Sequence, residues 1–289
     1  MPYDVAGDIT GDTYDPVVNI PSNGETITEA SLIDATVALG NRIEYVRKLT
    51  PLSGAQPDRF FLVRDDFTGA HYDSANDFIH SDLLWKSDVG AGTPSAGFYS
   101  GTSKNPGNLV VSLPSGATAD QLSVALGFGA GIGVDMFSFA GFERIEFVFA
   151  VFDAPGNPGT QFQVGLCATV NNMAVGVGGT DSLRVRYSKA ESANWIVNIR
   201  KASVGTQIVT AVPVVFGDYI VAAYARNAAG GIDVSIDGTI VTTVAAANIP
   251  AGEGTLGFEA FKSASDLIAC SMQVDLVSGQ QSITDRSGP

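Results

Sequence analysis

Apolar and polar residues alternate with a period of two along most of the chain after residue 60. This alternation is typical of β-strands with one buried and one polar face. The stretch Ile145–Phe152 is apolar on both faces, which predicts a strand in the middle of two packed layers. The other predicted strands are Phe162–Val170, Leu183–Tyr187, Trp195–Arg200, Gln207–Val215, Tyr219–Ala225, Ile232–Ile236, Thr239–Val244, Thr255–Phe261 and Ile268–Val277.

Turn-forming residues separate these strands at short intervals. Asp237-Gly238 lies between two alternating segments and is the strongest hairpin signal in the chain. Short strands joined by tight turns, with no helical pattern between them, predict antiparallel pairing. We therefore expect a mainly β fold, an antiparallel jelly-roll β-sandwich.

The pattern before residue 51 has a helical period instead. Thr26 and Glu29 form a capping box, which marks the start of a helix. Pro51 predicts its end. The apolar stripe of this helix consists of Leu32, Leu39, Ile43 and Val46.

A single helix of this length is marginally stable in water, so its apolar stripe needs a partner. Two interpretations remain open. The stripe packs on the β domain of its own chain, or it assembles the chain into a homo-oligomer, with a trimer favoured. Its apolar positions follow a heptad-like spacing with one polar lapse at Thr36.

These patterns divide the chain into four parts. Residues 1–50 hold a proline-containing anchor arm and the oligomerisation or attachment helix. Residues 51–59 have the composition of a linker. Residues 60–280 form the β-sandwich, and residues 281–289 form a C-terminal tail.

Composition supports a β-rich globular domain and argues against some partners. Hydrophobic residues make up 45% of the chain and charged residues 16%, so the chain has enough apolar material for a core. The formal net charge is −14, which repels nucleic-acid phosphates. We therefore expect no nucleic-acid partner.

Cysteine content and hydropathy argue against a disulfide-rich, secreted or membrane-inserted protein. Cys167 and Cys270 are the two cysteines, too few for a disulfide scaffold, and Cys270 lies in phase with apolar neighbours. The first residues lack a basic region followed by an apolar stretch, so we expect no signal peptide and synthesis as a soluble protein. Since no window reaches the length of a membrane span, we expect no membrane insertion.

The richest polar stretch runs from residue 65 to residue 82 and contains both histidines. Its carboxylates suit calcium, which prefers oxygen ligands. The candidate ligands are Asp65, Asp66, Asp73 and Asp77. Their spacing does not match the calcium-loop motif, and His71 and His80 lack companions at zinc-ligand spacing. A solvated loop is the simpler interpretation, so we predict no cofactor and keep calcium as the alternative.

Aromatic residues in loop-like sequence are candidates for sugar binding, because the apolar face of a sugar stacks on a ring. Tyr72, Trp85 and Tyr99 meet this description. Trp195 alternates with Val197 and is expected in the core.

Two segments of the predicted sandwich resemble concanavalin A-like (laminin-G or lectin-type) jelly rolls. They are Phe216–Asn227 and Gly231–Thr239, a strand, a turn and a strand that closes on Asp237-Gly238. Asp65-Asp66-Phe67 and Gln273–Val277 resemble the first and last strands of that fold. The resemblance implies that these two strands pair, and it covers residues 60–280.

Jelly-roll glycosidases of that group carry the pattern E-x-D-x-x-E on one strand, because retaining hydrolysis needs two nearby carboxyl groups. The nearest match is Glu143-Arg144-Ile145-Glu146, which lacks the central aspartate. Its two acids are three residues apart and therefore lie on opposite faces of a strand. We therefore predict that the chain is not an enzyme.

Residues 20–49 resemble the attachment regions that begin tailed-phage fibre and appendage proteins, where an arm and a short helix dock the protein on the virion, often as a trimer. This resemblance implies a structural virion protein whose residues 1–50 contact other virion proteins. Its β-sandwich would bind a host-surface glycan. The alternative is a stand-alone carbohydrate-binding or glycan-processing module. A second alternative is a decoration protein with no ligand.

Overall fold

The computed structural model describes residues 59–67, 71–73, 78–81, 83–98, 108–126, 137–167 and 181–283. All of them belong to one compact unit, Asp58–Pro289. The predicted anchor arm and helix, with Leu32, Leu39, Ile43 and Val46, and residues 51–58 of the predicted linker lie outside the described residues. Arg59, the last residue of that linker, begins the first strand.

The described chain is built from eighteen strands and one short 3-10 helix, Ala246–Asn248. The strands are β1 (Arg59–Asp65), β2 (His71–Asp73), β3 (Phe78–His80), β4 (Leu84–Ala91), β5 (Ser95–Phe98), β6 (Leu109–Leu113), β7 (Asp120–Leu126), β8 (Phe137–Ser138), β9 (Phe142–Phe152), β10 (Gln161–Cys167), β11 (Ser182–Ser188), β12 (Asn194–Lys201), β13 (Val204–Pro213), β14 (Ile220–Arg226), β15 (Ile232–Ile236), β16 (Thr239–Val244), β17 (Glu253–Lys262) and β18 (Cys270–Ile283).

The strands form two antiparallel sheets. Sheet A has the order β16-β15-β14-β9-β18-β6-β5, with β1 also pairing β18. Sheet B has the order β13-β12-β11-β10-β17-β7-β4-β3-β2, with β8 also pairing β17. Neighbours in the sheets are often distant in sequence, as in a jelly roll. The predicted antiparallel jelly-roll sandwich is confirmed.

Side chains from both sheets meet in one apolar core. The ring of Phe149 in sheet A lies 5.5 Å from the ring of Trp195 in sheet B, nearly perpendicular to it. The Tyr224 hydroxyl of sheet A donates to the Val164 carbonyl (2.9 Å) and accepts from the Val185 amide (2.7 Å), both in sheet B. These bonds satisfy the hydroxyl inside the core and join the two sheets.

The first and last strands pair as the resemblance implied. β1 runs antiparallel to β18, with Asp65 opposite Val277. β9, the strand expected in the middle, lies between β14 and β18. Its Phe147 and Phe149 side chains belong to the core, whereas Val148 and Phe152 on the other face are half-buried.

The hairpin between β15 and β16 is also confirmed. Asp237 and Gly238 both have positive φ, 50° and 77°. A two-residue type I′ turn requires positive φ at both central positions, and its twist matches that of the strands. Ile236 and Thr239 are paired on either side of it.

Several strands between residues 71 and 126 have no clear alternating pattern in the sequence and were not predicted. Trp85 was assigned to a loop, but it lies in β4. Tyr72, also assigned to a loop, lies in β2. Polar residues such as Ser87 and Asp88 hid the apolar alternation of β4, because Ser87 is buried toward the core.

In the part of the chain that the structure describes, no helix has the length and apolar character needed to cross a membrane. Cys167 and Cys270 are both buried, and neither forms a disulfide. The predicted burial of Cys270 is confirmed.

Candidate functional site

Among the described residues, many buried polar side chains lie on the face of sheet B that points away from the core, the outer face of sheet B. In β17, Leu256 and Phe258 belong to the core. Successive side chains of a strand point to opposite faces, so Glu259 points outward. By the same alternation, Gln163 points outward from β10, where Phe162 belongs to the core.

Strand register places these outward residues in one row. Glu259 is paired with Ser123 of β7 on one side and with Gln163 of β10 on the other. Gln163 is paired in turn with Arg186 of β11. Because adjacent strands are about 4.8 Å apart, each side chain of the row reaches its neighbours.

Glu259 lies at the centre of this row and is fully buried. Its Oε2 accepts hydrogen bonds from the Ser123 hydroxyl (3.2 Å) and the Gln163 side-chain amide (3.1 Å). Its Oε1 accepts from the Gln121 side-chain amide at 3.4 Å. A buried carboxylate needs such donors to offset the loss of hydration.

Gln163 links the carboxylate to a guanidinium. Its Oε1 accepts a hydrogen bond of 3.0 Å from Nη1 of Arg184. Burial lowers the pKa of the Arg184 guanidinium, and the nearby charge of Glu259 opposes this effect. Because arginine has a very high intrinsic pKa, Arg184 keeps its positive charge.

Two further arginines lie beside Arg184. Arg186, on the same strand and face, contacts Gln161 at 3.4 Å and forms an ion pair with Glu191. Arg200 lies on β12, two residues after Asn198, which is paired with Arg184. The charges of Arg186 and Arg200 both lower the pKa of Arg184.

A second carboxylate lies in the row of Glu259. Asp88 of β4 is paired with Ser123 of β7, and Ser123 is paired with Glu259. Residues paired across antiparallel strands point to the same face. Asp88 and Glu259 are thus two strand spacings apart, about 9 to 10 Å between Cα atoms. Asp88 is half-buried.

The structure places Trp85, one of the predicted sugar-stacking residues, in the core. Its ring is fully buried and lies 5.4 Å from Phe67 and 5.8 Å from Phe258. Its indole N–H donates to Oδ2 of Asp65 at 2.7 Å. In this position the ring has no face open to a ligand. Tyr99 lies outside the described residues, and only the backbone of Tyr72 is described.

Among the predicted calcium ligands, Asp65 is buried and its two oxygens accept hydrogen bonds. Oδ1 accepts from the Phe67 amide (2.8 Å), and Oδ2 accepts from Ser81 and Trp85. Asp66 is exposed at the end of this segment. The side chain of Asp73 and all of Asp77 lie outside the described residues. Within the described ranges, no group of three or more acidic, histidine or cysteine side chains is arranged to hold a metal.

The Glu143–Glu146 segment belongs to sheet A. Glu146 forms an ion pair of 3.2 Å with Arg144. This segment therefore lies on the opposite sheet from Glu259.

A separate pocket of about 410 Å³ lies between the edge strands β13 and β16. Its walls include Ile199, Val204, Ile208 and Val244. The Lys201 ammonium at this pocket donates to the Ala247 carbonyl. The pocket is mainly apolar, and Lys201, Thr206, Thr243 and Asn248 also line it.

Sequence reasoning missed Glu259, Gln163 and Arg184. Each is a polar residue at alternate positions within a buried strand, such as Phe162-Gln163-Val164 and Leu183-Arg184-Val185. That alternation signals a polar outer face. Their proximity depends on the pairing of β10 with β17, whose sequences are almost a hundred residues apart.

No family model and no curated protein sequence matches this chain. Solved structures match it in fold. An endo-1,3-β-glucanase from Streptomyces sioyaensis has a TM-score of 0.51 and 14% identity, over 80% of this chain and 100% of that one. The carbohydrate recognition domain of Emp47p has a TM-score of 0.50 and 10% identity, over 80% and 100%. A protein of unknown function from Shewanella oneidensis MR-1 has a TM-score of 0.50 and 14% identity, over 93% and 100%.

These similarities correct one prediction and confirm another. The prediction that the chain is not an enzyme was wrong, because it took one missing motif to exclude catalysis in a fold that a glucanase shares. The resemblance to concanavalin A-like lectin and glucanase folds is confirmed. What this chain shares with these proteins is the jelly-roll sandwich itself.

Proposed function

We propose that the β-sandwich binds a glycan on the outer face of sheet B. The observation that carries this proposal is the chain of contacts from Glu259 through Gln163 to Arg184 on one outer sheet face. The fold supports it, since the similar structures include a carbohydrate recognition domain and an endo-1,3-β-glucanase.

These three side chains suit the chemistry of sugar hydroxyls, which both donate and accept hydrogen bonds. A carboxylate accepts, a guanidinium donates, and an amide does both. Hydrogen bonds to ionised groups are stronger than those between neutral groups. A saccharide that replaces some of the contacts between these residues therefore keeps each buried polar group satisfied.

Glu259 has no exposed surface, so a saccharide contacts it only if binding opens this face. Gln161 and Asp88 are half-buried members of the same face and are reached first. Binding at such a site includes a conformational step, and association is then slower than for a preformed open groove.

A glycan-binding screen on the full chain tests the proposal. Gln163→Met removes the link between Glu259 and Arg184 at similar volume and is expected to abolish binding. Gln273→Met is the matched control, because Gln273 lies in sheet A, where it accepts from Tyr219 at 2.8 Å. Equal binding by both variants, or no glycan bound by the unmodified chain, would contradict the proposal.

A second candidate function is glycan hydrolysis, favoured by the placement of Asp88 and Glu259 in one row. Inverting glycosidases use two carboxyl groups about 6.5 to 9.5 Å apart. One protonates the leaving oxygen, and the other activates a water molecule. The Cα atoms of Asp88 and Glu259 are about 9 to 10 Å apart and both side chains point to the same face, which allows their carboxyl groups to lie within that range.

Release of reducing ends from a glycan that binds the chain tests this second function. Glu259→Gln and Asp88→Asn are each expected to abolish release, whereas Glu146→Gln in sheet A leaves it unchanged. Activity that survives both of the first two substitutions would contradict the assignment.

A virion role remains a prediction from residues 1–50, which lie outside the described residues. In that role the sandwich would present its glycan site from a phage particle, and repeated weak sites would bind firmly together. The favoured trimer is tested by the solution mass of the full chain from light scattering. A monomeric mass at working concentrations would contradict the trimer.

A further inference from the structure

We infer that the glycan bound on the outer face of sheet B carries an anionic group, a carboxylate or a sulfate ester, held by Arg184, Arg186 and Arg200. This inference rests on the proposed glycan-binding function. It names the chemical class of ligand, which the fold does not.

The three guanidinium groups belong to two adjacent strands. Arg184 and Arg186 are two residues apart on β11 and therefore point to the same face. Arg184 is paired with Asn198 of β12, and Arg200 follows two residues later on that strand, paired with Ser182. Arg184 thus lies between the other two arginines, and the Cα atoms of Arg186 and Arg200 are about 14 Å apart across the two strands.

Several buried polar atoms around these arginines have no hydrogen-bond partner in the described part of the chain. They are Nε of Arg186, Oδ1 of Asn198 and the hydroxyls of Ser182 and Ser188. Each of these residues is less than a tenth exposed. Because buried polar groups in native proteins are nearly always paired, this concentration of unsatisfied atoms indicates a polar ligand.

The donors and acceptors divide in a way that suits an acidic sugar. Nε of Arg186 and the serine hydroxyls can donate to anionic oxygens, while Oδ1 of Asn198 can accept from a sugar hydroxyl. The planar fork of arginine matches the two oxygens of a carboxylate or sulfate.

The guanidinium of Arg200 is the cation in this group that is available to pair with an anionic ligand. Arg186 is paired with Glu191, and Arg184 reaches Glu259 through Gln163. Among the described residues, Arg200 has no ion pair, and its Nη2 donates to the Ser203 carbonyl at 3.2 Å. A positive patch is an exception in a chain of net charge −14. The overall charge repels an acidic glycan at long range, so its binding depends on these short-range contacts.

The experiment measures the affinity of the full chain for three oligosaccharides of similar length by calorimetry: an oligogalacturonate, a sulfated oligosaccharide and a neutral β-1,3-glucan. We expect one of the acidic ligands to bind at least about tenfold more tightly than the neutral one, since hydrogen bonds to charged groups contribute about that much. The two acidic ligands distinguish a carboxylate site from a sulfate site.

Arg200→Gln is expected to reduce that preference about tenfold, the loss of one charged contact. Arg200 is half-buried, so the variant is expected to fold. Arg144→Gln, at an exposed arginine of sheet A, is the control and leaves the preference unchanged. Arg200→Lys keeps the charge without the fork and is expected to give an intermediate affinity.

Each outcome decides a different claim. If the neutral glucan binds as tightly as the acidic ligands, or if Arg200→Gln keeps the full preference, the anionic-ligand inference is wrong while glycan binding stands. If no glycan binds, with or without charge, the proposed function fails and this inference fails with it.

Discussion

The ammonium of Lys262 lies 3.2 Å from the carboxylate of Asp120, and both side chains are fully buried. The ammonium also donates to the Gly116 carbonyl (2.8 Å) and the Asp266 carbonyl (3.0 Å). Lys262 ends β17, while Gly116 and Asp266 lie in the loops before β7 and after β17. One cation therefore joins three segments at one end of sheet B.

Replacing Lys262 with methionine keeps most of the side-chain volume and removes the charge. Breaking a buried ion pair leaves the partner charge uncompensated, which costs about 3 to 5 kcal/mol. We expect Lys262→Met to lower the free energy of unfolding in urea by that amount. The double variant with Asp120→Asn is expected to recover part of the loss, because it also removes the unpaired charge.

The matched control is the exposed ion pair between Arg144 and Glu146. Exposed pairs contribute about 0 to 1 kcal/mol, so Arg144→Met is expected to change stability little. Equal effects of Lys262→Met and Arg144→Met would contradict a structural role for the buried ammonium.

Asp65 is predicted to act as a structural acceptor in the core. In Asp65→Asn one oxygen becomes an amide nitrogen that faces a donor, either the Phe67 amide or the Trp85 indole. Hydrogen bonds to charged groups contribute about 1.5 to 3 kcal/mol, and we expect a loss of that size in urea unfolding. Asp66→Asn, at the exposed neighbour, is the control.

The same variant tests whether calcium binds at Asp65. If Asp65 acts only as a hydrogen-bond acceptor, added calcium leaves the unfolding midpoint of the unmodified chain unchanged. A rise with calcium concentration that disappears in Asp65→Asn would show binding to the native state instead.

The turn at Asp237-Gly238 gives a prediction that depends on backbone geometry. Gly238 has φ of 77°, and a side chain there costs about 1 to 2 kcal/mol in the left-handed region. We expect Gly238→Ala to destabilise the protein by that amount in thermal or urea unfolding. At Gly97 a Cβ meets nothing within 4 Å, so Gly97→Ala is the control and should be neutral or slightly stabilising. Equal losses of stability in Gly238→Ala and Gly97→Ala would contradict a specific cost of alanine in this turn.

Alkaline pH is expected to weaken the fold. Burial and the nearby charge of Asp153 raise the pKa of both Tyr187 and Cys270 to about 12, from ordinary values of 10.0 and 9.0. The unfolded chain therefore loses these protons at lower pH than the folded chain. By linkage, the contribution of Tyr187 and Cys270 to the free energy of unfolding is complete below about pH 9. It is lost as the pH rises toward 12.

Urea midpoints at several pH values from 8 to 11 check this prediction, and we expect a steady fall above pH 9. Cys270→Val removes one titrating group and is expected to make the fall shallower. A midpoint that is constant over this range would contradict the raised pKa values.

The sequence predicted the parts of the fold that depend on local chemistry. Asp237-Gly238 forms the expected turn because few residues adopt positive φ at both positions. The pairing of the first and last strands followed from the resemblance at Asp65–Phe67 and Gln273–Val277. Trp85 was misplaced because its partner Asp65 lies twenty positions earlier, a distance at which no local pattern shows contact.

The candidate site could not be predicted for the same physical reason. Glu259 and Gln163 each stand out as a polar residue in an apolar strand, but they meet only because β10 pairs with β17. Strand order in a jelly roll is set by long-range packing, and a shift of one residue would turn Glu259 into the core. Alternation in the sequence therefore predicted on which face of its strand each residue lies. It did not predict which strands are neighbours in the sheet.

The most direct test of glycan binding on the outer face of sheet B is a crystal structure of the full chain with the saccharide that binds best. We expect a sugar ring in hydrogen-bond contact with Gln163 and at least one of Glu259 and Arg184. A saccharide seated on sheet A, or in the pocket between β13 and β16, would contradict it.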